Sequence, residues 1–166
     1  QASGKVYAVY RKGESHTLFG RLYNGTDWEA EATAMSGTVQ SRFNRYSLIV
    51  DNDWTIHLAN IDDTETDDSV YYASYNSTTK DWTSKTELSP TGHHRLGGLT
   101  INETSQNLYL WYHRADVVYY RLNVGGTWQS EVEAWNRTTE NMQDREFTVY
   151  ANTSGSYAGG FWLEGS

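Results

Sequence analysis

The stretch RLGGLTIN, residues 95–102, decides the fold because it recurs on either side at an interval of 50 residues. RYSLIVDN begins at Arg45 and REFTVYAN begins at Arg145, so each copy starts with arginine and ends with asparagine. Each copy is a short apolar run bounded by polar residues, which is typical of a buried β-strand. Similarity at a fixed period indicates a repeat architecture.

Further strand-like runs accompany each copy. A second alternating run appears as KVYAVYRK from Lys5, WTIHLANI from Trp54, NLYLWYHR from Asn107 and YAGGFWLE from Tyr157. A third run, TLFGRLYN, SVYYASYN or DVVYYRLN, leads through a turn to a tryptophan and a polar fourth segment. This alternation predicts an all-β protein, and four strands per unit is typical of a β-propeller blade.

The repeat boundaries predict a single partial propeller domain over residues 1–166. The blades span 5–35, 45–89, 95–135 and 145–166, and the first and last of them are incomplete. The total is about 3.3 blades, whereas propellers usually have about four to eight. We therefore expect the chain to be part of a larger or multi-chain propeller, in which other blades or another chain cover the alternating strands at 5–11 and 157–163.

Composition agrees with strands and excludes several partners. Tyr (13) and Trp (7) are abundant and Pro occurs once, which favours strands over helices. A formal net charge of −8, without a basic run, argues against a nucleic-acid partner. No apolar run is long enough for a membrane span. The absence of cysteine excludes disulfides and thiolate metal sites within this sequence.

The turn before the fourth segment carries a family motif. RLNVGGTW, residues 121–128, keeps the glycine, threonine and tryptophan of the Asp-box S-x-D-x-G-x-T-W, with Asn123 in place of the aspartate. RLYNGTDW, residues 21–28, keeps the glycine and the tryptophan. The unit therefore resembles the blade of sialidase-like, BNR-type β-propellers, over nearly the whole chain in repeat layout. This resemblance implies that three tryptophans pack between blades rather than bind sugar, namely Trp28, Trp82 and Trp128.

The propeller layout brings cationic residues to one face. In a propeller, the inner strands begin at the same face as the loops that join second and third strands. The candidate ligand-binding residues at this face are Arg45, His93, His94, Arg95, His113, Arg114 and Arg145. Converging guanidinium groups suit a carboxylate or a sulfate. The alternative is that the repeated arginines pair with backbone or with acids such as Asp144, and hold the blades together.

Two kinds of catalysis can be compared with this cluster. Sialidases are similar in holding a carboxylate with three arginines, but the F-R-I-P segment of that family is absent and no tyrosine nucleophile with a glutamate partner can be assigned. Propeller polysaccharide lyases carry out β-elimination, which needs a charge neutraliser, a base and an acid. Arginine, histidine and tyrosine can fill these roles. The candidate catalytic residues are His94, Arg95, Tyr112 and His113.

The sequence also offers candidate sites for metal binding and glycosylation. The acidic loop DDTETDD, residues 62–68, offers oxygen ligands for Ca²⁺ through Asp62, Asp63, Asp67 and Asp68. It lacks the glycine and the regular spacing of an EF-hand, so a solvated loop is the favoured interpretation and no other cofactor is expected. N-x-S/T sequons occur at Asn24, Asn76, Asn102, Asn136 and Asn152, where turn chemistry and glycosylation are both possible explanations.

Three classes of function fit these features. The first is an extracellular or cell-surface propeller module that recognises an acidic or neutral glycan, or a protein surface. The second is a fragment of a propeller glycosidase or of a polysaccharide lyase that acts on an acidic saccharide. The third is a structural or assembly protein of a surface layer or filament. The sequence leaves open whether the protein is an enzyme.

Overall fold

The computed structural model describes residues 5–12, 17–36, 46–62, 69–89, 92, 94–115, 117–136, 147–151 and 158–162. For residues 62, 94–95, 147–151 and 158–162 the description covers the backbone. All regular elements in these ranges are β-strands, so the all-β expectation is confirmed for the described part of the chain. No helix in that part could span a membrane.

The described residues form fifteen strands in chain order. They are β1 (Val6–Arg11), β2 (Leu18–Tyr23), β3 (Ala32–Met35), β4 (Tyr46–Val50), β5 (Ile56–Asp62), β6 (Ser69–Asn76), β7 (Asp81–Trp82), β8 (Thr86–Glu87), β9 (His94–Ile101), β10 (Leu108–Arg114), β11 (Val117–Val124), β12 (Thr127–Trp128), β13 (Val132–Asn136), β14 (Phe147–Ala151) and β15 (Ala158–Trp162).

The strands form four antiparallel sheets. The first sheet has the order β1-β2-β3, and the second has the order β4-β5-β6-β7, with β8 also paired to β6. The third sheet has the order β9-β10-β11-β12, with β13 also paired to β11, and the fourth contains β14 and β15. Each sheet is a meander of consecutive strands. Within the described residues the sheets do not close into a ring.

The 50-residue repeat corresponds to one strand in each of three sheets. The structure has strands at all three copies, β4, β9 and β14, and β9 contacts both of the others. The amide of Leu99 donates to Oγ of Ser47 at 2.9 Å, which joins β9 to β4. The repeated strands therefore lie side by side in sequence order.

An aromatic cluster joins the first sheet to the second. The indole Nε1 of Trp82 donates to the Tyr7 hydroxyl at 3.0 Å, and the Tyr7 ring lies 4.8 Å from that of Tyr75. Gly20 leaves room for Tyr7, because a Cβ atom at that position would lie 2.6 Å from Cε1 of its ring. Buried aliphatic side chains extend this interface, namely Leu18, Ala34, Met35, Leu58 and Ala73.

The second and third sheets meet in the same manner. The Trp128 ring packs edge-on against Tyr72 with centroids 5.0 Å apart. The core between these sheets contains Ala59, Ile61, Val70, Leu88, Leu99, Leu110 and Tyr112. Trp82 and Trp128 are therefore packing residues between sheets, as the sequence predicts. Trp28, the third tryptophan of this set, is 46% exposed.

Candidate functional site

One end of the third sheet gathers histidines and arginines that the sequence singles out. β9 begins at His94, β10 ends at Arg114, and the two strands are antiparallel. The register places His94 opposite Arg114 and Arg95 opposite His113. Two pairs of neighbouring residues, 94–95 and 113–114, which are distant from each other in the sequence, therefore lie at the same end of the sheet.

A β-bulge in β9 sets this register. Tyr112 pairs with Leu96, whereas the residue before Tyr112 pairs with Gly98. Gly97 is therefore an extra residue on β9. Gly98 has a φ of 136°, which favours glycine. Because the bulge shifts the alternation by one position, Leu96 and Leu99 both pack on the core between the second and third sheets despite their odd spacing.

A carboxylate beside the outer strand β13 holds the end of β10. The Arg114 guanidinium donates to Glu131 through Nη2 to Oε1 at 2.8 Å and through Nη1 to Oε2 at 3.2 Å. The Tyr112 hydroxyl donates to the same Oε2 atom. The guanidinium carbon of Arg114 also lies 4.6 Å from the ring centroid of Tyr119. A two-bond ion pair with a ring beneath it holds Arg114 in one orientation.

Burial separates the members of this group. Tyr112 and His113 are 0% and 1% exposed, whereas the Arg114 side chain is 25% exposed and contacts solvent. Burial raises the pKa of Tyr112, and its hydrogen bond to Glu131 raises that pKa further. Tyr112 therefore keeps its proton at neutral pH. In this arrangement Tyr112 anchors Glu131, and Glu131 orients Arg114.

The remaining predicted cationic residues are described less fully. His94 and Arg95 are described through their backbone. Arg45, His93 and Arg145 lie outside the described residues, as does Asp144. The catalytic and ligand-binding roles that the sequence assigns stay predictions.

The predicted calcium ligands fall mainly outside the described part of the chain. Asp62 is the last residue of β5, and Asp63, Asp67 and Asp68 lie outside the described residues. Among the side chains that the structure describes, no group of three or more His, Cys, Asp or Glu could hold a metal ion. Calcium binding by the acidic loop stays a prediction.

Three of the sequon asparagines close turns. In each case Oδ1 accepts two backbone N–H groups from residues two and three positions later, at 2.8–3.2 Å, and these asparagines are Asn24, Asn76 and Asn102. This geometry is the turn chemistry expected from the sequence. Asn136 ends β13, and Asn152 lies outside the described residues. Glycosylation at any of the five stays a prediction.

A second polar network lies in the second sheet, on the side that faces the third. Nδ1 of His57 lies 2.7 Å from the Tyr72 hydroxyl, and Nε2 lies 3.1 Å from Oδ2 of Asp51. Burial lowers the pKa of His57, although its hydrogen bond to Asp51 opposes that shift. Burial also raises the pKa of Tyr72 to about 12. The histidine is therefore neutral near pH 7, and the tyrosine is protonated.

A groove between the first and second sheets has mixed charge. It has a volume of about 520 Å³ and is lined mainly by Tyr7, Leu22, Glu29, Glu31, Tyr75 and Lys80. The Lys80 ammonium is 2.9 Å from Glu29, which neutralises it. Since the lining carries two carboxylates and one ammonium, this groove is poorly suited to an acidic ligand.

Sequence reasoning missed Glu131 and the Asp51–His57–Tyr72 network. The repeat could have identified Glu131, because the first sheet contains an equivalent contact between a tyrosine, a glutamate and a cation. There the Tyr10 hydroxyl donates to Glu31 at 2.5 Å, and Lys12 Nζ donates to it at 2.7 Å. The Asp51–His57–Tyr72 network has no such repeated signal.

Comparisons with known proteins give a structural likeness. No family model matches the chain, and no curated protein matches it. It is similar to a solved polysaccharide lyase of family PL25, an ulvan lyase bound to -[GlcA(1-4)Rha3S]-, with a TM-score of 0.60 and 15% identity. A second structure of PL25 ulvan lyase gives a TM-score of 0.59 and 16% identity.

The likeness extends over most of this chain and a smaller part of the lyase. In both comparisons it covers 92% of this chain and 41% of the other. The chain therefore spans about two fifths of the length of these structures. At this level of identity the likeness establishes a shared all-β arrangement of strands.

Proposed function

We propose that the chain is part of a polysaccharide lyase that acts on an acidic saccharide, and that its sheets are blades of a propeller. The observation that carries this proposal is the register of β9 and β10, which brings His94, Arg95, His113 and Arg114 to one end of the third sheet. The likeness to a lyase solved with a glucuronate-containing, sulfated saccharide supports the same substrate class.

The cationic residues match the charge of such a substrate. A uronate carboxylate is a planar anion and a sulfate ester is a tetrahedral one, and guanidinium groups bind both through paired hydrogen bonds. Arg114 is already oriented by Glu131 and reaches solvent. Arg95 lies on the neighbouring strand β9, two residues before the bulge at Gly97. We assign Arg95 and Arg114 to the anionic groups of the saccharide.

β-Elimination gives the other residues defined roles. A base removes the proton on the carbon next to the uronate carboxylate, a carbon–carbon double bond forms, and the bond from the neighbouring carbon to the glycosidic oxygen breaks. The released sugar oxygen takes up a proton from solvent water. We assign neutralisation of the carboxylate to Arg95 and proton removal to His94. Tyr112 is buried and bonded to Glu131, so it acts on Arg114 rather than on the saccharide.

Glycan recognition without cleavage is the second candidate. The burial of Tyr112 and His113, at 0% and 1% exposure, favours it, because a group that donates or accepts a proton must reach the substrate. In that case the same arginines bind the acidic saccharide and no bond is broken. An assembly protein of a surface layer or filament has no such supporting observation.

An assay on uronate polysaccharides separates these candidates. The intact protein is incubated with sulfated and unsulfated uronate polysaccharides and with a neutral polysaccharide, and the ultraviolet absorbance of the unsaturated product is followed. A lyase gives rising absorbance with the acidic polymers alone. A recognition module gives heat of binding in calorimetry without absorbance change. The proposal is contradicted if no acidic polymer gives either an absorbance change or heat of binding.

A further inference from the structure

The outer face of the first sheet, which faces away from the second, repeats a face that is buried elsewhere in the molecule. Arg21, Trp28 and Glu31 of the first sheet recur 100 residues later as Arg121, Trp128 and Glu131 in the third. Tyr10 and Lys12 likewise recur as Tyr112 and Arg114, and both sets make the tyrosine–glutamate–cation contact. The two faces are therefore equivalent positions of one repeat.

In the third sheet this face is covered. Tyr112 is 0% exposed, and Trp128 packs against Tyr72 of the second sheet. The second sheet uses its own tryptophan in the same way, since Trp82 donates to Tyr7 of the first. Two successive interfaces thus place a fourth-strand tryptophan on a tyrosine of the preceding sheet.

In the first sheet the equivalent face is open within the described residues. Trp28 is 46% exposed and Val6 is 54% exposed, and both are large apolar side chains on this face. The Arg21 guanidinium lies 6.0 Å from the Trp28 ring and donates to the Trp28 and Glu29 carbonyl oxygens. The backbone bond from the Glu29 amide to the Leu22 oxygen recurs in the third sheet from Gln129 to Leu122, so the turn that presents each tryptophan has the same backbone contact in both sheets.

We propose that this face docks a further antiparallel sheet of the same repeat, contributed by residues of the protein outside positions 1–166. The two established interfaces define the partner's chemistry. Its facing surface should carry a tyrosine at the position of Tyr7 or Tyr72, surrounded by small and branched aliphatic side chains like those of the second sheet at Ala59, Ile61 and Val70. This docking surface is separate from the saccharide site and is independent of whether the protein cleaves a polysaccharide.

Tryptophan footprinting tests the proposal. The intact native protein and the chain 1–166 are oxidised by light in parallel, and oxidation of each tryptophan is measured by mass spectrometry. In the chain alone, Trp28 should react as fast as Trp54, which is 41% exposed. In the intact protein, Trp28 should be protected to the level of Trp128, with Trp54 unchanged. Equal reactivity of Trp28 in both samples overturns the proposal. Protection that appears in the chain alone as its mass doubles also overturns it, because a second copy is then the occupant.

A matched pair of variants gives a second measurement. Trp28→Asp in the intact protein should lower the melting temperature by several degrees, because it places a carboxylate in a packed interface. The same change in the chain 1–166 should lower the melting temperature less, because Trp28 there loses its contacts with Tyr23 and Arg21 but no packed interface. Trp54→Asp is the control and should have little effect in either protein. If Trp28→Asp lowers the melting temperature equally in both, Trp28 serves the first sheet alone and the proposal fails.

Discussion

The guanidinium of Arg114 and the carboxylate of Glu131 form a two-bond ion pair, with Nη2 and Oε1 2.8 Å apart, and the buried Tyr112 hydroxyl donates to the same carboxylate. This relationship joins the exposed end of β10 to the start of β13. It fixes a cation at the end of the third sheet where His94 and Arg95 also lie. The positive charge that the proposed function requires is therefore positioned by hydrogen bonds within the third sheet.

Replacing Glu131 by glutamine tests this support. Glu131→Gln removes the charge that pairs with Arg114 and weakens the bond from the buried Tyr112 hydroxyl. We expect a loss of about 1–3 kcal/mol in the free energy of unfolding, measured by urea denaturation. Glu133→Gln, an exposed change two residues away, is the control and should cost much less. Equal effects of the two changes would show that the ion pair contributes nothing to stability.

The bulge in β9 predicts a difference between adjacent glycines. Gly98→Ala places a side chain at a φ of 136°, so we expect it to lower the free energy of unfolding by about 1–3 kcal/mol. Gly97→Ala should lower the free energy of unfolding less, since the φ of Gly97 is outside the positive range. Denaturation midpoints of the two variants measure the difference. A larger loss for Gly97→Ala would contradict the described bulge.

The Asp51–His57–Tyr72 network predicts a pH dependence. Burial lowers the pKa of His57 below its ordinary value of 6.5, so the unfolded chain binds this proton more readily than the folded one. The contribution of the neutral ring is complete above about pH 6.5 and is lost as the pH falls through the lowered folded-state value. His57→Gln should flatten the rise in unfolding free energy between about pH 5 and 7. An unchanged slope in this variant would contradict the assignment.

The strands and the interface tryptophans could be predicted from the sequence. The 50-residue repeat and the alternating runs predict β4, β9 and β14, and the turn motif predicts the packing of Trp82 and Trp128. These features are local, since each depends on side-chain alternation or on one turn. The closure of the sheets into a propeller is not established by the described residues and stays a proposal.

The candidate site could be predicted only in part. The repeat predicts that residues 93–95 and 112–114 lie together, but the register between their strands depends on one extra residue, Gly97. The alternation of side chains between the two faces of β9 is interrupted by that bulge. The hydrophobic pattern of the sequence therefore does not reveal that Leu96 and Leu99 occupy the same face. The pairing of Glu131 with Arg114 depends on where β13 pairs with β11, and the lowered pKa of His57 depends on its burial in the folded protein. These are tertiary properties that strand periodicity does not contain.

The effect of Arg95→Ala on saccharide binding separates a binding role of this arginine from a structural one. Calorimetry of the intact protein with a uronate polysaccharide should show binding that weakens as salt is added, because the contact is between opposite charges. Arg95→Ala should weaken that binding by about 2–5 kcal/mol while the thermal transition is retained. The control is Lys5→Ala, which removes an exposed cation directly before β1 and should leave saccharide binding unchanged. A saccharide-binding role for Arg95 is contradicted if no acidic polysaccharide binds, or if Arg95→Ala abolishes the thermal transition, because Arg95 then holds the sheets together instead of holding a saccharide.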